Sequence, residues 1–204
     1  LPLLGSDCDP LVPEHCGLPF PSDVYLLDDP TGRNPSGKSV RFGPTTLPAR
    51  LQDGEHIPPE LFFDHDGFSP GQAAMTYLPF ASDAGCATPF DIERSLDVDS
   101  PTVLIEADTL RRVPHWVDLD ATTTNDGTEG REDQRLLLIR RAERLRDGAR
   151  YIVAIRNIVD RRDGETIEPN LVFDALKDER LLDEDEGDPA SRWTVFARRG
   201  LYDD

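Results

Sequence analysis

The chain has 204 residues and carries 40 acidic against 22 basic side chains, for a formal net charge of -18. A field of that sign repels nucleic-acid phosphates and anionic membrane surfaces, so neither is an expected partner. The length suits one large domain or two small ones whose core folds without a metal or disulfide scaffold, and no apolar run is long enough to span a bilayer.

Residue 1 is Leu, with neither an initiator Met nor a charged and apolar leader, which reads as a processed or trimmed product. Residues 1–70 are dense in Pro, Gly, Asp and Ser and are expected to form an irregular wrapping segment. Cys8 and Cys16 stand in its Pro-rich opening, where a short disulfide loop would hold down a stretch without periodicity of its own. Cys86 is left over, as a buried free thiol, as a partner for a segment outside this sequence, or in place of one of the other two. Metal binding by Cys8, His15 and Cys16 competes with the disulfide, but no second ligand pair at finger-like spacing supports it. The strand-like pieces are 24–27 and 39–42, closed into a long hairpin by the Pro-, Gly- and Asn-bearing loop 28–37, and a short helix is predicted over 58–63.

Residues 71–170 hold the predicted regular structure: strands at 72–80, 102–106 and 112–117, a helical turn at 91–96, and a polar loop over 118–133. The stretch 135–160 contains two short apolar runs, Leu136-Leu137-Leu138-Ile139 and Tyr151-Ile152-Val153-Ala154-Ile155. Bounded by charge and by Asp147-Gly148, they read as strands buried on both faces and folded back on each other. Asp163-Gly164 then turns the chain into a last short hairpin at 166–167. Strands of this length with turn chemistry between them predict a mainly β, antiparallel sandwich.

Residues 171–204 change character. Val172, Leu176 and Leu182 have helical spacing, the acidic stretch 183–188 follows, and Asp188-Pro189 opens a helix carrying Trp193, Phe196 and Ala197 with Gly200 as its stop. Such an apolar face needs cover. It packs on the sandwich, or the segment leads to a further, separate domain.

Several motifs carry chemistry on paper. Gly67-Phe68-Ser69-Pro70-Gly71 matches the hydrolase elbow G-x-S-x-G, but the residue after the nucleophile must give a backbone N–H to the oxyanion hole, and Pro70 has none. A turn is therefore predicted there, and no catalytic residue is assigned. Asp64 and Asp66 open a stretch that begins like a Ca²⁺ loop without the later ligands, and Asp118, Asp120, Asn125-Asp126-Gly127 and 183–188 are oxygen-rich in the same way. Each is a solvated loop or an ion site, with Asp64 and Asp66 the metal candidates. His115, in a strand beside Trp116, and His56, in a loop, each read as a satisfied or exposed imidazole, and no cofactor-binding fingerprint is present.

Between the two apolar runs lies Leu145-x-x-Gly148-x-x-Tyr151, which resembles the tyrosine corner of immunoglobulin-like sandwiches and implies that fold. A wider set of residues is similar to the N-terminal domain family of bacterial virulence-factor lipases. These are Leu18-Pro-Phe-Pro-Ser-Asp-Val-Tyr-Leu26, Asp66-Gly-Phe-Ser69, Asp91-Ile-Glu-Arg-Ser-Leu96 before Ser100-Pro-Thr-Val-Leu104, and Val159-Asp160 with Asp163-Gly164. That resemblance implies an immunoglobulin-like accessory domain of an extracellular, periplasmic or outer-membrane-attached protein. Its partner would be an α/β-hydrolase domain or chain encoded downstream, which carries the lipase or esterase chemistry. The hydrolase nucleophile, acid and His have no counterparts here. A surface binding or adhesion module, stabilised by Ca²⁺ at Asp64 and Asp66, is the alternative of a different class.

Overall fold

The computed structural model describes residues 9–12, 15–120, 135–187 and 189–198. The fold is mainly β, with antiparallel sheets and two short helices. Contacts divide the chain into two compact units, the first made of Leu1–Gly67 with Glu168–Asp204 and the second of Phe68–Ile167.

In the first unit β1 (Leu26–Asp28) and β2 (Lys38–Val40) form a hairpin with Leu26 opposite Val40 and Asp28 opposite Lys38. Asp29 organises its loop by accepting the Asn34 N–H at 2.9 Å and both the N–H and hydroxyl of Thr31. The Asn34 N–H and then the Thr31 groups hold the Asp29 carboxyl well below the usual carboxylate range. Tyr25, fully buried, packs on Phe42, and Phe42 meets Phe62 edge-on. The short helix predicted at 58–63 is a single 3-10 turn, Pro59–Phe62.

Two helices complete this unit, α1 (Leu171–Lys177) and α2 (Pro189–Arg198), joined through Val172, Ala175, Leu176, Leu182 and Val195 with Leu11 against them. α1 stops earlier than the spacing to Leu182 suggests. Glu179 takes φ +53 and the Arg180 N–H closes onto the Ala175 carbonyl, a left-handed end after which Leu182 returns to the core from a loop. The predicted apolar face of α2 is the outer one: Trp193 and Phe196 stay exposed, while Ser191, Thr194, Val195 and Arg198 are buried. The reason is charge. Arg198 turns inward to reach the buried carboxylate of Asp9, and a buried cation needs that partner more than two aromatic rings need cover. Gly200 and Asp188, the proposed stop and start signals, lie outside the described residues.

The second unit holds β3 (Ala74–Tyr77), β4 (Thr102–Glu106), β5 (His115–Leu119), β6 (Leu136–Arg141) and β7 (Tyr151–Ile155). β6 lies between β3 and β5 in one sheet, and β4 pairs with β7 in another, every pair antiparallel. The two apolar runs are thus not partners. β6 and β7 belong to different sheets, because the corner between them carries the chain across the core instead of turning it back. Val117, Leu137 and Ile139 of the larger sheet cluster with Ala81, Cys86 and Ile158, and Ile155 of β7 packs against them. The 112–117 strand is displaced to His115–Leu119, since Pro114 has no N–H for a ladder, and Arg112 keeps only a single bridge to Ile105. The last hairpin is reduced to one bridge, Val159 to Thr166. Most of the 118–133 loop lies outside the described residues, while Asp118 itself is in β5.

Candidate functional site

Ser69 sits in a turn of the second unit. Its hydroxyl accepts the Gly71 N–H at 3.1 Å, and the Gln72 N–H bonds the Ser69 carbonyl at 2.9 Å. Arg141 lies over this turn, so that a Cβ at Gly71 would stand 3.3 Å from its Nη2, and Glu143 and Arg144 line the same shallow depression. The hydroxyl oxygen accepts within the turn, and Pro70 supplies no oxyanion donor.

His115 is fully buried between the two sheets. Its Nδ1 stands 2.9 Å from the Val113 carbonyl, which only accepts, so the ring proton is on Nδ1. Nε2 then accepts the Thr102 hydroxyl at 2.9 Å, and the His115 backbone N–H bonds Ser95 Oγ. Burial lowers the His115 pKa, keeping the ring neutral. This imidazole tethers β5 to β4. His56, by contrast, is exposed and bonds the Leu47 carbonyl.

Asp64 and Asp66 are exposed in the first unit, flanking His65, whose carbonyl takes the Val40 N–H, and the Asp66 carbonyl takes the Ser36 hydroxyl. Two backbone oxygens of the loop are therefore committed within the fold. Among the described residues, no three His, Cys, Asp or Glu side chains converge to hold a metal ion. Asp118 is paired with Arg140 at 3.1 Å, and Asn125, Asp126 and Gly127 lie outside the described residues. Of the cysteines, Cys8 lies outside the described residues and Cys16 occupies a turn. Cys86 is a free thiol in the core, its pKa pushed up to about 11 by burial and then by Asp83.

Leu145 and Gly148 lie in the segment that joins β6 to β7, and Tyr151 opens β7. Gly148 takes φ +67, a conformation that favours glycine, and the Tyr151 hydroxyl accepts the Arg146 N–H at 2.8 Å. Arg146 also bonds Glu106, a buried carboxylate at the end of β4, which accepts the Thr109 hydroxyl at 2.6 Å as well. The Thr109 hydroxyl first, and the Arg146 guanidinium after it, hold the Glu106 carboxyl below its usual range. Glu106 faces Tyr151 across the β4–β7 ladder, so strand, corner and ion pair lock one another. The spacing of Gly148 and Tyr151 is local and visible in the sequence, whereas sequence reasoning missed Glu106, whose only signal was an acid ending an apolar strand.

The corner delivers β7 to the edge of its sheet. β4 is largely buried on both faces, whereas Ile152 and Val153 of β7 are 44% and 37% exposed. The expectation of a strand buried on both sides is corrected for β7, whose Ile152, Val153 and Ala154 are exposed. The Tyr151 hydroxyl bond and the Glu106–Arg146 pair thus hold the start of a strand whose Ile152 and Val153 are exposed. A search of family models, curated proteins and solved structures finds no match to this chain.

Proposed function

We propose that the chain is a non-catalytic, immunoglobulin-like accessory domain serving a separate serine hydrolase that acts on lipids or other esters at a bacterial surface. The observation that carries the sandwich reading is the strand order of the second unit. With β3 to β7 read as B to F, β3-β6-β5 corresponds to B-E-D and β4-β7 to C-F of an immunoglobulin-type sandwich, with the tyrosine corner between E and F. The hydrolase partner and the extracellular, periplasmic or outer-membrane setting rest on the residues that resemble the virulence-factor lipase family. That the chain itself is a scaffold is supported by the commitment of Ser69 and His115 to structural hydrogen bonds.

A fluorophosphonate probe, which labels activated serines, tests both halves. The isolated chain and its Ser69→Ala variant should both stay unlabelled and should hydrolyse short acyl esters no faster than buffer. From the native source, a labelled polypeptide other than this chain should co-purify with it. Label on Ser69, or ester turnover abolished by Ser69→Ala, overturns the proposal.

A further inference from the structure

We infer that Arg141 and the turn Ser69-Pro70-Gly71 form a binding site for a carboxylate, on observations independent of the accessory-domain reading above. In β6, Leu137 and Ile139 turn into the core, while Arg140 points to the other face and pairs with Asp118 at 3.1 Å. Arg141 therefore continues the core side at the end of the strand. A cation in that position is costly unless something pairs with it. Its Nε is buried and makes no hydrogen bond, and among the described residues no acidic side chain forms an ion pair with its guanidinium. The other charges that line the depression are already matched. Glu143 is bound by Arg111 at 2.7 Å and Arg144 by Asp147 at 2.9 Å, so Arg141 alone is uncompensated.

The space beside the guanidinium is bordered by donors. Gly71 has no side chain, and a Cβ there would stand 3.2 Å from Ser69 Oγ and 3.3 Å from Arg141 Nη2, so hydroxyl and guanidinium flank the same small volume. Ser69 Oγ accepts the Gly71 N–H with a lone pair, which leaves its O–H to donate.

Charge and shape select the ligand class. One uncompensated positive charge matches a monoanion, and the planar fork of an arginine matches the two coplanar oxygens of a carboxylate. A phosphate dianion would bring a second negative charge to a chain whose formal net charge is already -18. The carboxylate belongs to a free acid or to an acidic side chain of another protein, and the same contacts would hold either.

The experiment titrates the full chain at low ionic strength with acetate, inorganic phosphate or chloride, and follows the Arg141 Nε–H and Gly71 N–H signals by NMR. Acetate should shift both with a dissociation constant of roughly 1 mM, about ten-fold tighter than phosphate. Arg141→Lys keeps the charge and loses the fork, and should weaken acetate about ten-fold as read at Gly71. Gly71→Ala removes no donor but fills the volume between them, and should weaken acetate as well; it carries the test even if Arg141→Lys does not fold. Equal shifts with chloride or phosphate would mean an adventitious ion only, and would overturn the inference. So would wild-type acetate binding by Gly71→Ala, or the absence of any shift. Octanoate and an end-blocked peptide with a single glutamate then identify the source, with the glutamine version of the peptide as control. Tighter binding of octanoate assigns the carboxylate to a free acid, and tighter binding of the glutamate peptide assigns it to a protein chain.

Discussion

Glu106 is buried at the end of β4 with Thr109, Arg146 and Arg111 around its carboxylate. Its pKa is lowered in the folded chain, so its stabilising contribution is fully present above the unfolded carboxylate value of about 4.3. That contribution fades as pH falls through the lower folded value. Glu106→Gln should therefore destabilise the second unit at neutral pH, and the gap between wild type and variant should narrow in acid. Urea midpoints at neutral pH and below the carboxylate range check this, and a gap that widens in acid would contradict it. The same residue marks the limit of what a sequence displays. Tyr151 was legible because its partner, the Arg146 N–H, is five positions away; Glu106 was not, because Arg146 is 40 positions away. A hydroxyl corner is written locally, whereas an ion pair between strand ends depends on the topology.

At the scale of elements, the strands were legible as apolar runs but their neighbours were not. β6 and β7 both carry an apolar run, yet Leu137 and Ile139 are buried between two flanking strands while Ile152 and Val153 are exposed. Periodicity reports that a strand can be buried, and only its pairing decides whether it is. The helices show the same division. Asn170 caps α1 by accepting the Phe173 N–H at 2.8 Å, and its side-chain amide donates to the Leu11 carbonyl at 2.7 Å. The cap has a local signature, but the bond to Leu11 spans 159 positions. Asn170→Ala should remove both and cost about 1–2 kcal/mol, while Asn170→Asp keeps the capping acceptor and loses the donor, with a smaller cost. Thermal unfolding of the two variants separates the contributions, and equal losses would mean that the cap contributes little.

Across the whole molecule, the candidate site and the chain ends follow one rule: polar groups that are far apart in sequence close what apolar packing leaves open. In the first unit Asp9 and Arg198, 189 positions apart, form a buried pair at 2.8 Å that ties the N-terminal segment to α2. Tyr25 is buried nearby, and burial, then Asp9, raise its hydroxyl pKa well above the ordinary value. A buried pair of this kind contributes little over an apolar replacement, yet breaking it strands a charge in the core. Asp9→Leu or Arg198→Met alone should therefore cost about 3–5 kcal/mol, and the double variant much less than the sum of the two. The chain has two tryptophans, Trp193 in α2 and Trp116 in β5. Replacing Trp116 with Phe leaves a fluorescence signal that belongs to the first unit, and guanidinium unfolding followed through Trp193 reads the cycle. Additive losses would show that Asp9 and Arg198 act independently, and the closure of the first unit would then rest on the Val172, Leu176 and Val195 contacts alone.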